Sequence, residues 1–153
     1  MSAQIILVVE DNATEQYVLE QLLKKFDYDS QVVSSGEEAL VALGVTNYAA
    51  ILMDVTLPGI DGCECTRRIR RIELESGRRT PIVAITGMVE QKDQDMCFAS
   101  GMDDYLSKPF DPEQLRKVLL RYVYDESQPN LKTLKPVLPG EIEIPWTPTR
   151  VDE

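Results

Sequence analysis

The chain has 153 residues, 43% of them apolar and 27% charged, which is enough for one domain with a hydrophobic core plus an appendage. Its formal net charge of −10 opposes a nucleic-acid phosphate backbone, so direct DNA or RNA binding is not expected. It contains no histidine, which excludes Ser-His-Asp and Cys-His catalysis, histidine-ligated metals and a phosphohistidine of its own.

Ile5–Val9 is a short β-branched apolar run, suited to a strand buried on both faces. It stops at Glu10-Asp11-Asn12. Asn12 and Glu15 have capping-box spacing, and Val18, Leu19, Leu22, Leu23 and Phe26 follow at helical spacing. Gln31–Val33 reads as a weaker strand. Ser35 and Glu38 form a second capping-box pattern, with Ala39, Leu40 and Leu43 behind it and Gly44 as the stop.

Ala49–Met53 is an apolar strand that ends at Asp54, and Leu57-Pro58-Gly59 has the chemistry of a loop. Asp61 caps a helix that continues through Ile69 and Ile72 to about Ser76, with Gly77 as the stop. Pro81–Ile85 is a strand ending at Thr86. A helix follows from about Glu90 to Ser100, ended by Gly101. Asp104–Ser107 is a short strand running into Lys108-Pro109. Asp111-Pro112 starts the last helix, whose apolar stripe is Leu115, Val118, Leu119 and Tyr122.

Five strands alternating with five helices predict an α/β fold with a doubly wound parallel sheet. Beyond this domain (1–126) the character changes. Five of the nine prolines fall in 127–153, a segment of net charge −1 that we read as an extended Pro-rich tail or linker. Val137, Leu138, Ile142, Ile144 and Trp146 make it more apolar than an inert linker, so packing along the domain, exchange with a second copy and an interface with another domain all stay open.

The three cysteines, Cys63, Cys65 and Cys97, form neither a disulfide framework nor a tetrahedral zinc set. No apolar run is long enough to cross a bilayer and no secretory leader is recognisable. The expected location is cytoplasmic.

In a parallel sheet of this kind, ligands bind beyond the carboxyl ends of the strands. Glu10 and Asp11, Asp54, Thr86 and Lys108 each end a strand and should converge there. Clustered carboxylates repel, and oxygen donors open to water and phosphate suit Mg²⁺. A carboxylate nucleophile, a hard cation, a lysine for a phosphoryl oxygen and a hydroxyl donor are sufficient for phosphoryl transfer to Asp54.

The runs Ile5-Ile6-Leu7-Val8-Val9-Glu10-Asp11-Asn12, Met53-Asp54-Val55-Thr56-Leu57-Pro58-Gly59-Ile60-Asp61-Gly62, Pro81-Ile82-Val83-Ala84-Ile85-Thr86-Gly87 and Tyr105-Leu106-Ser107-Lys108-Pro109-Phe110 together resemble the response-regulator receiver family over residues 4–124. The resemblance implies a flavodoxin-like receiver fold in two-component or phosphorelay signalling. It implies that Asp54 is phosphorylated, that Asp11 and Asp54 hold Mg²⁺ directly with Glu10 acting through water, and that the Thr56 backbone carbonyl is a further ligand. Lys108 and Thr86 would bind the phosphoryl group, Tyr105 would be an aromatic switch, and the Lys108–Pro109 bond would be cis.

Gly87 stands where Ala is usual, and Thr56 and Met88 hold positions that vary in the family and influence how water reaches the acyl phosphate. The implied partners are a histidine kinase or histidine phosphotransfer domain as donor, which must lie outside this His-free chain, and a downstream protein docking on the face made by helix four, strand five and helix five. Rival readings are an aspartyl-nucleophile phosphohydrolase, a nucleotide-binding domain and a receiver-like module that is never phosphorylated. Against the first, Thr56 stands where a second Asp is needed; against the second, no Gly-rich loop follows strand one. Accordingly no enzymatic turnover is expected. A stand-alone regulator and the receiver of a hybrid kinase both remain open.

Overall fold

A computed structural model describes residues 5–87 and 90–123. The expectations for Met88 and for the tail 127–153 lie outside the described residues.

Five strands, β1 (Ile5–Val9), β2 (Asp29–Val33), β3 (Ala50–Asp54), β4 (Ile82–Thr86) and β5 (Asp104–Ser107), form one parallel sheet in the order β2-β1-β3-β4-β5. The helices are α1 (Ala13–Lys25), α2 (Gly36–Leu43), α3 (Gly62–Ser76), α4 (Gln91–Ser100) and α5 (Pro112–Tyr122). The predicted doubly wound α/β fold is therefore the fold observed.

The alternation of side chains along each strand builds two cores. Ile6, Val8, Ala50, Leu52, Val83 and Ile85 face Leu19 and Leu23 of α1 and Leu115, Val118 and Leu119 of α5. Leu7, Val9, Ile51, Met53, Ile82 and Ala84 face Ala39 and Ala42 of α2, Cys63, Cys65 and Ile69 of α3, and Cys97 of α4. This is why the central strands read as unbroken apolar runs. Each fully buried Leu or Ile contributes about 1.5–3 kcal/mol relative to exposure. All three cysteines are free and buried.

Several details depart from the sequence reading. β2 begins two residues earlier than predicted, at Asp29, because it is an edge strand paired only to β1 and tolerates polar Asp29, Ser30 and Gln31. Ile72 is 59% exposed and lies off the apolar face of α3. The two predicted capping boxes are only half formed. The Glu15 amide donates to Asn12 Oδ1 at 2.9 Å and the Glu38 amide to Ser35 Oγ at 3.1 Å, but neither glutamate closes the box on its cap residue. Glu38 instead accepts from the Ser34 amide, and Glu15 turns away toward Lys108. The complete box belongs to Asp111 and Gln114 at the start of α5.

The chain leaves β1 toward β2 at one edge, then crosses back to β3 on the other side of β1. The direction of winding reverses between β1 and β3. The crevice at their carboxyl ends is where such sheets bind ligands, and Glu10 and Asp54 stand at those ends.

Candidate functional site

Glu10 follows β1 directly and is 2% exposed. Its Oε2 accepts the Asn12 amide at 3.0 Å, which fixes the carboxylate at the amino end of α1. Burial raises its pKa to about 7; the Asn12 bond and the Lys108 charge oppose that shift, and the Asp54 charge adds to it. Asp54 is the last residue of β3, registered against Ile85, and is 6% exposed. Its Oδ1 accepts the Thr56 amide at 3.0 Å.

The start of α3 seats against this strand end. The Gly62 amide donates to the Val55 carbonyl at 2.9 Å, and a Cβ at position 62 would collide with the Asp54 carbonyl oxygen. Glycine at 62 lets the helix approach the backbone that carries Asp54.

Thr86 ends β4 and is 1% exposed. Its carbonyl accepts the Lys108 amide at 2.8 Å, which extends the β4–β5 ladder by one bond and starts the Lys108 side chain at the site. The Lys108–Pro109 peptide bond is cis. Lys108 Nζ lies 3.3 Å from Glu10 Oε1, 3.4 Å from Asp54 Oδ2 and 2.5 Å from Glu15 Oε1. Partial burial pulls the Lys108 pKa down, but the bond to Glu15 and the three carboxylate charges outweigh it and hold the ammonium above its ordinary range. Glu15 is pushed the opposite way, chiefly by its bond to Lys108.

The sequence-predicted residues are thus brought together unequally. Glu10, Asp54 and Lys108 are in direct contact, and Thr86 stands at the neighbouring strand end joined to Lys108 through the backbone. Asp11 is exposed. The group of carboxylate oxygens within 4.8 Å of one another belongs to Glu10, Glu15 and Asp54. Tyr105, on β5, packs against the core on the α2–α3–α4 side, with its hydroxyl buried and no hydrogen-bond partner among the described residues. Glu15 was absent from the sequence-level site, where its spacing from Asn12 marked it as a helix cap. An acid on the first turn of a helix that starts at an acidic strand end was the only signal available.

The donor chemistry fits Mg²⁺. Every converging ligand atom is a carboxylate oxygen, no imidazole or thiolate is among them, and the group opens to solvent on the Glu15 side. Lys108 stands among these oxygens and supplies the counter-charge.

No described helix is long and apolar enough to cross a membrane. The chain resembles the receiver domain of the sensor histidine kinase PA1611 from Pseudomonas aeruginosa PAO1, whose crystal structure has a magnesium ion coordinated in the active-site cleft. The two are 42% identical with a TM-score of 0.72, covering 79% of this chain and 98% of that one. The Ssk1 receiver domain of Saccharomyces cerevisiae, solved in complex with the histidine phosphotransfer protein Ypd1, is 30% identical with a TM-score of 0.74, covering 79% of this chain and 89% of that one. Hybrid signal transduction histidine kinase I of Dictyostelium discoideum is 36% identical over 124 residues, 78% of this chain but 7% of its own length. The chain spans less than a fifth of the length of the first curated relatives it matches, which are 19%, 7% and 16% covered. Residues 6–120 match the response regulator receiver domain family, and on that match the chain belongs to the receiver domains of two-component and phosphorelay signalling.

Proposed function

We propose that Asp54 is the phosphoacceptor and that this domain receives its phosphoryl group from a phosphohistidine on a histidine kinase or histidine phosphotransfer protein. The observation that carries this reading is the contact of Lys108 with both Glu10 and Asp54 at the winding reversal of the sheet, a place where a parallel α/β sheet binds ligands. The chain contains no histidine, so in this reading the donor belongs to another protein or domain.

In the proposed transfer, a carboxylate oxygen of Asp54 attacks phosphorus in line with the donor nitrogen. The O–P bond forms as the N–P bond breaks, and the electron pair returns to the imidazole nitrogen, which takes up a proton. The Thr56 amide steadies Oδ1 of the nucleophile. Lys108 offers its ammonium to the phosphoryl oxygens, and Thr86 offers a hydroxyl from the next strand end. Asp11, Asp54 and the Thr56 carbonyl would hold Mg²⁺ directly, with Glu10 acting through water. When bound, the ion neutralises charge that builds on the transferring group.

The output follows from the same edge. Thr86 and Tyr105 stand on adjacent strands, and in our reading the phosphoryl group draws Thr86 toward it and shifts Tyr105. The population of two states of the α4–β5–α5 face then changes. Phe98 of α4 and Leu120 of α5, 45% and 46% exposed, are apolar side chains on the two helices of that face and, in our reading, are available to a downstream protein. The domain accepts a phosphoryl group and does not turn over phosphate esters.

The test is Mg²⁺-dependent labelling from a phosphohistidine donor. Wild type should acquire label with Mg²⁺ present and none when EDTA is present from the start, and Asp54→Asn should acquire none in either case. Full labelling of Asp54→Asn would refute the assignment.

A further inference from the structure

Within this phosphoacceptor reading, we propose that Glu15 is a positioning residue that competes with the phosphoryl group for Lys108, holding its ammonium at the mouth of the site until the phosphoryl group arrives. Among the three carboxylates around Lys108 Nζ, Glu15 is the nearest, at 2.5 Å against 3.3 Å for Glu10 and 3.4 Å for Asp54.

The local chemistry of α1 explains why Glu15 is available. At the third position of the helix its carboxylate would ordinarily return to the Asn12 amide and close a capping box. That amide is already satisfied by Glu10 Oε2 at 3.0 Å. Glu10 therefore does two jobs, ending β1 and capping α1, and Glu15 is released to reach across to the β5–α5 loop. The residue keeps its backbone amide in the helix cap and sends its carboxylate to the site.

The burial gradient gives the pair its direction. The Glu10 and Asp54 side chains are 2% and 7% exposed, whereas that of Glu15 is 42% exposed and that of Lys108 25%. Glu15 sits at the rim and its partner carboxylates at the floor. A phosphoryl group on Asp54 needs Lys108, and Lys108 meets it only by loosening its bond to Glu15. Glu15 loses little by this, because water replaces the ammonium at the rim. The same carboxylate adds negative charge beside the cation site and draws Lys108 away from Asp54 and Glu10, so it favours Mg²⁺ binding while it opposes phosphoryl binding. Those two effects have opposite sign, which separates a positioning role from a general loss of structure.

The experiment measures two affinities on the full chain: Mg²⁺ by calorimetry, and beryllium fluoride, a mimic of the phosphoryl group, by fluorine NMR at saturating Mg²⁺. Glu15→Gln should bind Mg²⁺ about three- to tenfold more weakly and beryllium fluoride about three- to tenfold more tightly, the size expected for losing one partly exposed charge pair. Glu15→Asp keeps the charge at the rim but withdraws it from Lys108, so Mg²⁺ affinity should return toward wild type while the mimic still binds more tightly. Glu20→Gln, an exposed acid farther along α1, should leave both affinities unchanged and controls for net charge. If Glu15→Gln moves both affinities in the same direction, or leaves both within twofold of wild type, the proposal is overturned. Failure of wild type to bind the mimic at all would instead overturn the phosphoacceptor reading on which it rests.

Discussion

The Asn12 amide donates to Glu10 Oε2 at 3.0 Å, so the carboxylate that ends β1 also caps α1. The bond keeps Glu10 buried beside Asp54, and burial lifts its pKa to about 7 from 4.5. In the metal-free protein the native state therefore holds a proton between pH 4.5 and 7 that the unfolded chain has released. The stabilisation from this group is complete below pH 4.5 and is lost as pH rises through 7. Thermal denaturation in EDTA should show the melting temperature falling across that window, and Glu10→Gln should flatten the fall. A wild-type profile that rises there would contradict the assignment.

Lys108 is the counter-charge to three carboxylates, so its removal should separate cation binding from phosphoryl transfer. Lys108→Met takes a positive charge away from the cation site and should raise Mg²⁺ affinity on the order of tenfold. In the proposed transfer it also removes the ammonium that would meet the phosphoryl oxygens, and labelling should slow by on the order of 10²-fold. Calorimetry and single-turnover labelling check the two halves. Weaker Mg²⁺ binding in Lys108→Met would be inconsistent with this geometry.

Arg70 holds the opposite end of the domain together. Its guanidinium pairs with Glu73 and Asp103, each at 2.7 Å, and donates to the carbonyls of Thr80 and Gly101. The Arg70, Glu73 and Asp103 side chains are 14%, 11% and 18% exposed. Asp103 also accepts the Ile82 amide at the start of β4, so the network joins α3 to the strands that present Thr86 and Lys108. Arg70→Ala leaves two partly buried carboxylates without their shared partner and should cost about 2–3 kcal/mol in urea denaturation. Its Mg²⁺ affinity should stay at the wild-type value, because the network is remote from Asp54.

The inner layers were legible because burial on both faces leaves a plain record. Ile5–Val9 and Ile82–Ile85 are apolar without interruption, and polar residues appear only where the strands end. That abrupt change puts Glu10, Asp54, Thr86 and Lys108 on one edge from the sequence alone. The first half of edge strand β2 carries no apolar signal, because Asp29 is exposed and Ser30 is polar and half-buried.

Glu15 and Arg70 were illegible for a different reason. Each follows a local rule that the fold overrides. Glu15 has the spacing of a capping box, but Glu10 takes the amide it would have bound. Arg70 looks like one exposed charge among many on α3, and its partner Asp103 lies 33 residues away. Gly62 is required by the approach of α3 to the Asp54 backbone, a contact no local pattern records. Pairings of this kind exist only after the sheet has brought the loops together.

The central claim is the covalent fate of Asp54, and peptide mapping of the phosphorylated protein tests it most directly. After Mg²⁺-dependent transfer, mass spectrometry of the intact protein should show one phosphoryl group. Hydroxylamine should convert the acyl phosphate to a hydroxamate at Asp54 and at no other residue. A phosphoryl group that resists hydroxylamine, or a hydroxamate at another carboxylate with Asp54 unmodified, would contradict the account.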